Sequence, residues 1–438
     1  MPVIGIRREN KGRHERRAPL SPDHVREALA SNTELEFLVQ PSPVRIHPEA
    51  EYLAAGAVVT EDLSGADLIM GVKEIPMDLL QPEGSYIYFS HTIKGQSHNM
   101  PTLRRLMDLR CTLLDYERIV DREGRREVFF GYHAGLAGMI DCLWIFGRRL
   151  AEDGYDSPLS QVRQALEYDD LAHACASIKQ VGEQLATTGL PAGLPPVVFG
   201  FAGYGNVSRG AQYVFDHLPF VAVDPADLSK LFAAGTAGVG NHFYKVLFKE
   251  EHLAQRRGDQ GFALQEYYDH PELYEGIFEK WLPYLTGLVN CIYWSPSYPR
   301  LVTRSEVLKL HGQGELRLRV IADITCDIDG SIEMTIEATD QDRPILTYDP
   351  ATDGLRRQLE GPGISILAVD NLPCELPRDA TSHFGASLAP FLTELGSLDH
   401  ALPFARLLVR DELKSAIILW NGELTPQYDY LEAELPSA

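Results

Sequence analysis

Short apolar runs alternate with amphipathic stretches along the first 130 residues. VIGIRR (3–8), EFLVQ (36–40), ADLIMGV (66–72), YIYFS (86–90) and CTLLDYE (111–117) each read as a strand. Helices are predicted from Pro22, from Pro48 to a stop at Gly56, and over MPTLRRLMDLR (100–110). The first has a complete start signal, with Ser21 as N-cap, Pro22 at N1 and Asp23 in the first turn. Nearly continuous apolar strands between such helices predict a parallel sheet covered on both faces. From Gly135 to Leu150 the residues are small or apolar, which suits a long buried helix connecting two domains. A polar helical stretch (160–188) and the loop GLPAGLPP follow, and the alternation then resumes in PVVFGFAGYGNVSRGAQYVF (196–215), LVNCIYW (288–294), RVIADIT (319–325) and GPGISILAVDNLP (361–373). Residues 226–285 read as mostly helical and longer than a crossover requires, and FARLLVRDELKSAII (404–418) reads as a packed helix. The expected class is therefore α/β, with two Rossmann-like domains whose parallel sheets flank a cleft. One domain takes 1–134 plus about 372–438; the other takes 135–371, with a helical insertion at about 226–285.

Composition narrows the function classes. The 438 residues carry a formal net charge of -22, which argues against nucleic acid or an anionic membrane surface as partner. No window approaches the ~18 uninterrupted apolar residues of a membrane span. The N-terminus MPVIGIRREN lacks an apolar signal region, so a cytoplasmic protein is expected. Cys111, Cys142, Cys175, Cys291, Cys326 and Cys374 are scattered without CxxC pairing, which suits reduced core thiols and gives no metal site. Against the acidic background one basic cluster stands out: Arg7, Arg8, Lys11, Arg13, Arg16 and Arg17, interrupted by Glu9 and Glu15. Arg17 lies just before a helix start, a placement suited to anion capture.

Ligands of open parallel sheets bind beyond the carboxyl ends of the strands. Three predicted strands of the first domain end in ionisable groups there: GVKE in Lys73 and Glu74, FSHT in His91, and LDYE in Glu117. The second domain opens with a strand, a glycine turn and a helix start, Gly203, Gly205, Asn206, Val207 and Ser208, with Gly210 two residues on. Glycines permit the tight turn and close backbone approach, and the helix N-terminus offers N–H groups to a pyrophosphate. FVAVD ends in Asp224 at the distance where an acidic residue accepts from the ribose hydroxyls, which by the general rule favours NAD. Cys291 and Asp323 fall toward the carboxyl ends of later strands, near the cofactor.

ERRAPLSPDHV, GVKE, YFSHTIKGQ, LLDYERIVDREGRR, FGYHAGLAGMI, GFAGYGNVSRGAQ, LVNCIYW and VDNLPCELPRDAT occur in this order. Together they closely resemble lysine-ketoglutarate reductase, the saccharopine-forming half of the bifunctional aminoadipic semialdehyde synthase. More distantly they resemble the lysine-forming saccharopine dehydrogenase of fungi, then alanine dehydrogenase and transhydrogenase. The resemblance covers residues 3 to about 395. It implies an oxidoreductase that joins lysine and 2-oxoglutarate through an imine reduced by a nicotinamide hydride to saccharopine, or the reverse. By match to the family, Lys73 and His91 are the catalytic pair, tuned by Glu74 and Glu117. Arg17 and Arg126, with Lys94 as a further candidate, would hold substrate carboxylates, and Asp370 would lie near the nicotinamide. A cleft between the domains would then close over the substrates. The resemblance favours NADP(H) where the rule from Asp224 favours NAD(H), so both cofactors stay open. Bifunctional relatives continue into a second dehydrogenase, whereas this sequence ends at 438; a separate saccharopine dehydrogenase is the expected pathway partner. A related opine-type or amino-acid dehydrogenase acting on another amine or 2-oxo acid is the alternative, and a non-catalytic nucleotide-binding regulator a remoter one. The oligomeric state, a homo-oligomer included, stays open.

Overall fold

Runs of β-branched, leucine and aromatic residues bounded by turn formers become strands here, because a sheet pairs every backbone N–H and C=O inside an apolar layer. The computed structural model describes residues 1–233, 240–258 and 261–435. In chain order the first strands are β1 (Val3–Ile6), β2 (Glu36–Val39), β3 (Val58–Val59), β4 (Leu68–Met70), β5 (Ser85–Tyr88), β6 (Thr112–Asp115), β7 (Val198–Ala202), β8 (Phe220–Ala222) and β9 (Phe243–Phe248). They are followed by β10 (Ala254–Arg256), β11 (Tyr274–Gly276), β12 (Gly287–Asn290), β13 (Val320–Asp323), β14 (Ile345–Asp349), β15 (Gly354–Arg356), β16 (Ile364–Leu367), β17 (Ile417–Trp420) and β18 (Glu423–Leu424). The chain divides into two compact units, Met1–Phe130 with Pro377–Ala438, and Gly131–Leu376.

The first unit is built on one sheet in the order β18-β17-β6-β5-β4-β1-β2-β3. Its members from β3 to β6 run parallel, while β17 and β18 are antiparallel additions at one edge. Ile4, Ile6, Phe37, Leu68, Met70, Ile87 and Leu114 are fully buried in its core. The packed helix expected over 404–418 is corrected: a 3-10 turn at Phe404–Arg406 and a short α-helix at Asp411–Ala416 replace it, and Ile417–Trp420 is a buried strand against β6. Four consecutive apolar residues have no polar face to turn to water, so a strand enclosed on both faces suits them better than a surface helix.

The second unit's main sheet has the order β15-β14-β16-β13-β12-β7-β9-β8, parallel from β8 to β16 and closed by antiparallel β14 and β15. Three helices, Gly131–Glu152, Leu171–Thr188 and Asn206–Phe215, cover one face around Phe199 and Phe201. Val198, Phe248, Leu285 and Val307 centre the core on the other face. The expected helical insertion at 226–285 is corrected. Its main element is β9, which forms an inner strand of the sheet, and the hairpin β10–β11 follows with only short helices such as Leu228–Ala233 and Leu264–Asp269. Residues 234–239 and 259–260 of that segment lie outside the described ones. The strand hides because Lys245 interrupts Phe243, Tyr244, Val246 and Phe248; its ammonium leaves the apolar layer over the Phe220 ring, 4.9 Å from the centroid.

All six cysteines are free thiols. Among the described residues no helix is long and apolar enough to cross a membrane, and no cluster of His, Cys, Asp or Glu is placed to hold a metal ion.

Within the second unit two carboxyl groups are buried together. Asp141, on the helix Gly131–Glu152, and Glu375 are 0% and 2% exposed. Asp141 Oδ1 accepts the Ala165 N–H at 2.7 Å, and the Asp141 and Glu375 carboxyl groups lie within hydrogen-bonding reach of each other. Burial pushes both groups up, Asp141 to about 7, so the pair keeps a proton where exposed carboxyls are ionised. A carboxyl whose folded-state value is raised stabilises fully below its unfolded value and loses that contribution as pH rises through the folded one. Urea unfolding should therefore show stability falling as pH rises from about 4 through 7, and Glu375→Gln should make that fall shallower. A pH dependence identical in the two proteins would contradict the pairing.

Candidate functional site

Strands β4, β5 and β6 are parallel neighbours, so their carboxyl ends open on the same side of the first unit. Lys73 and Glu74 follow β4, His91 follows β5, and Glu117 follows β6 in the turn Tyr116–Arg118. The buried Glu9 carboxylate fixes the first tip, accepting the Val72 N–H at 2.8 Å and the Lys73 N–H at 3.0 Å. Buried Asp115 couples the other two, taking the Ser90 N–H at 3.0 Å on one oxygen and the Glu117 N–H at 2.8 Å on the other. His91 itself sits in the left-handed region at φ 55°, uncommon for a non-glycine residue, and Asn99 Nδ2 donates to its carbonyl at 3.0 Å.

The side chains at these tips form two linked sets. Glu74 bridges Lys11 Nζ at 3.0 Å and His91 Nε2 at 3.7 Å, while the His91 ring lies parallel to Phe89. A cavity of about 460 Å³ lined by Lys11, Glu74, Tyr88, Ser90, His98 and Asn99 opens beside them. Partial burial raises the Glu74 carboxyl, but backbone hydrogen bonding and Lys11 outweigh it and hold the group below its ordinary value. Lys73 is pulled down, first by desolvation and then by Arg17, against Glu15 and Glu74. The second set is Glu117 and Arg126, paired at 3.2 Å, with Glu117 Oε2 buried and without a hydrogen-bond partner among the described residues. Lys94 lies exposed in the turn Thr92–Lys94.

Arg17 is not the open anion trap that its place before a helix start implies. It is 2% exposed, clamped by both Glu15 oxygens at 2.7 and 2.5 Å, and its guanidinium lies 4.4 Å from the Phe130 ring centroid. Its reach toward Lys73 is electrostatic. Glu9, Asp115 and Glu15 are site residues that the sequence does not single out; the two glutamates are visible there only as interruptions of a basic cluster, and Asp115 as one more strand residue.

In the second unit the glycine turn joins β7 to the helix Asn206–Phe215. Gly203 has φ 93°, and a Cβ there would press Ile292 Cγ2 at 3.1 Å and the Cys291 carbonyl at 3.3 Å. Asn206 and Val207 open the helix, whose first-turn N–H groups face the turn. Ser208, in place of a third glycine, is fully buried and accepts from Gln212 Nε2 at 2.9 Å. The close approach that a third glycine usually serves is supplied by Gly210, whose Cβ would lie 2.1 Å from the Tyr132 carbonyl, and by Gly135, whose Cβ would lie 1.9 Å from that of Val207. A cavity of about 310 Å³ opens at the turn, walled by Tyr204, Tyr267, Tyr268, Tyr293 and Tyr298, with Cys291 at its margin. Backbone donors, a position only glycine fits and an aromatic cavity suit a dinucleotide.

The three aspartates expected near the cofactor all lie at or just past strand ends, but differ in where their carboxyls turn. Asp323 turns inward, taking hydrogen bonds from Asn290 Nδ2 at 2.7 Å, Thr325 at 3.2 Å and Thr335 at 2.6 Å; burial pushes it up to about 6 against them. Asp224 is exposed beyond β8 and accepts the Ala226 N–H of its own turn at 2.9 Å. Asp370 is exposed just past β16.

Known proteins share both halves of this chain. The family descriptions "Alanine dehydrogenase/PNT, N-terminal domain" and "Alanine dehydrogenase/PNT, C-terminal domain" match residues 5–137 and 295–427. Alpha-aminoadipic semialdehyde synthase of Arabidopsis thaliana is 38% identical over 98% of this chain and 41% of its own length. The mitochondrial synthase of Rattus norvegicus is 36% identical over 98% of this chain and 48% of its own. The chain thus spans less than half the length of these two relatives. Saccharopine dehydrogenase (NAD(+), L-lysine-forming) of Neurospora crassa is 26% identical over 92% of this chain and 94% of its own. Among solved structures, an L-alanine dehydrogenase superposes with TM-score 0.60 at 18% identity, covering 99% of this chain and all of that one, and the transhydrogenase from Sinorhizobium meliloti with 0.58 at 16%, covering 97% of this chain and all of that one. These two likenesses establish the fold.

Substituting Gly210→Ala should cost about 1–3 kcal/mol in urea unfolding, because the two helix backbones must separate to admit a methyl group. A loss below about 0.3 kcal/mol would contradict the packing.

Proposed function

The chain belongs to the alanine dehydrogenase/PNT family, and on that premise we propose that it joins L-lysine to 2-oxoglutarate as an imine and reduces it to saccharopine with NAD(P)H. Similarity along 98% of the chain to alpha-aminoadipic semialdehyde synthases and along 92% to a lysine-forming saccharopine dehydrogenase supports this substrate pair. The observation that carries the chemistry is the lysine at the tip of β4, partly buried beside Arg17 and adjacent to the strand that delivers His91.

Imine formation begins with a neutral amine attacking the oxo carbon, and substrate amines arrive protonated. Lys73, held below its ordinary value by burial and by Arg17, accepts that proton. Dehydration of the carbinolamine then needs a proton on its hydroxyl so that water can leave, and His91 is the donor in this reading. Glu74, bridging Lys11 and His91, steadies the imidazolium when it forms. The dinucleotide, when bound at Gly203, Gly205, Asn206 and Val207, supplies the hydride to the imine carbon. Arg126 and the exposed Lys94 offer the positive charge that the substrates' carboxylates require, Arg126 by exchanging Glu117 for a substrate carboxylate.

Absorbance at 340 nm should fall only when lysine and 2-oxoglutarate are both present with reduced dinucleotide. In Lys73→Met the rate should drop by about 10²-fold or more while dinucleotide binding, followed by fluorescence, is kept. Oxidation with another amine or oxo acid alone would transfer the reading to a different substrate pair, and unchanged turnover in Lys73→Met would refute the role of the lysine.

A further inference from the structure

The strand that follows the glycine-turn helix does not lie beside β7. From Asn206–Phe215 the chain runs out to the sheet edge as β8 and returns as β9, which occupies the place next to β7. Strand neighbours stand about 4.8 Å apart, so the tip of β8 is displaced by about 10 Å from the glycine turn. The tip of β9 adjoins it directly: the Gly203 N–H donates to the Phe248 carbonyl at 2.9 Å. Two residues on, Glu250 lines the tyrosine-walled cavity together with Gly203, Tyr204 and Gly205. Its carboxylate is already oriented, since Tyr268 Oη donates to Oε1 at 2.7 Å. Among the described residues Glu250 is the one charged side chain in that lining, and no lysine or arginine contributes to it. Asp224 does not line the cavity and spends a carboxylate oxygen on its own turn.

We propose that Glu250, not Asp224, accepts hydrogen bonds from the adenosine ribose of the dinucleotide, and that this chain therefore takes NAD(H) in preference to NADP(H). A carboxylate accepts well from the two ribose hydroxyls of NAD(H). Opposite a 2′-phosphate it meets like charge in a partly dry cavity, with no cation in the lining to offset it. The inference rests on the reading of the glycine turn as a dinucleotide site, and is independent of the identity of amine and oxo acid.

Equilibrium binding of NADH and NADPH, followed by nucleotide fluorescence or calorimetry without substrates, tests it apart from turnover. The wild-type chain should bind NADH at least about tenfold more tightly than NADPH. Glu250→Ser and the near-isosteric Glu250→Gln, each checked for a native melting transition, should narrow that ratio to within about threefold, chiefly by improving NADPH, whereas Asp224→Ala should leave it in place. Equal or tighter NADPH binding by the wild type, or a ratio that moves with Asp224 and not with Glu250, would overturn the assignment. Absence of binding by either dinucleotide would overturn it together with the glycine-turn reading; the expected preference without lysine-dependent oxidation would uphold it and refute saccharopine formation alone.

Discussion

Arg17 and Glu15 form the interaction on which the rest of the first unit turns. Both side chains are 1% exposed, and their bidentate contact lets a full positive charge persist where desolvation would otherwise forbid it. Such a pair adds little net stability, but removing one partner costs about 3–5 kcal/mol, so each holds the other in place. What the arrangement accomplishes is local: it sets a cation beside Lys73 and so favours the neutral amine. The segment after residue 376 closes over it. Phe130 lies against Arg17 and stacks on Phe384, 4.4 Å between centroids; Thr381 Oγ1 accepts the Ala18 N–H at 3.1 Å; and Gly385 leaves room for the His24 ring. This packing explains why Pro377–Ala438 belongs with the first 130 residues and not with the unit it follows.

The second unit is governed by a different constraint, the near contact of two helix backbones. Gly135 and Gly210 bring Gly131–Glu152 and Asn206–Phe215 so close that a methyl group on either would meet a carbonyl oxygen. That contact fixes where the glycine-turn helix starts relative to β7, and hence where its free N–H groups point. The buried carboxyl pair Asp141–Glu375 and the hydrogen-bonded Asp323 lie in the same unit, and each keeps its value high through burial. Asp323 does so as the hub of a network that ties β12 to β13, which makes it a scaffold residue.

Much of this is legible in the sequence. Apolar runs locate β1, β2, β4 to β7, β12, β13 and β16, and the ionisable residues just past three of those runs, Lys73 with Glu74, His91 and Glu117, stand at neighbouring strand tips in the fold. The failures share a cause, which is that local pattern does not report strand order. Spacing from the glycine turn selects Asp224, and strand order adds what spacing does not carry, that β8 lies at the sheet edge with β9 between it and β7. In β9 a lysine breaks an apolar run and imitates an amphipathic helix; in Ile417–Trp420 an apolar run abuts a genuine short helix and is absorbed into it. Arg17 stands out in the sequence as a cation before a helix start, but its buried pairing with Glu15 cannot be inferred from a cluster of charges.

Burial beside a cation makes Lys73 an unusually acidic lysine, and this central claim can be measured without any substrate. Competitive acylation of the intact chain with a trace amine reagent across pH 6 to 11, read by peptide mass spectrometry, gives the titration of individual lysines. Lys73 should reach half-maximal reactivity at clearly lower pH than the exposed Lys94, and the gap should shrink when Arg17 is replaced by Met. Lys73 titrating together with Lys94 in the unmodified chain would contradict the claim.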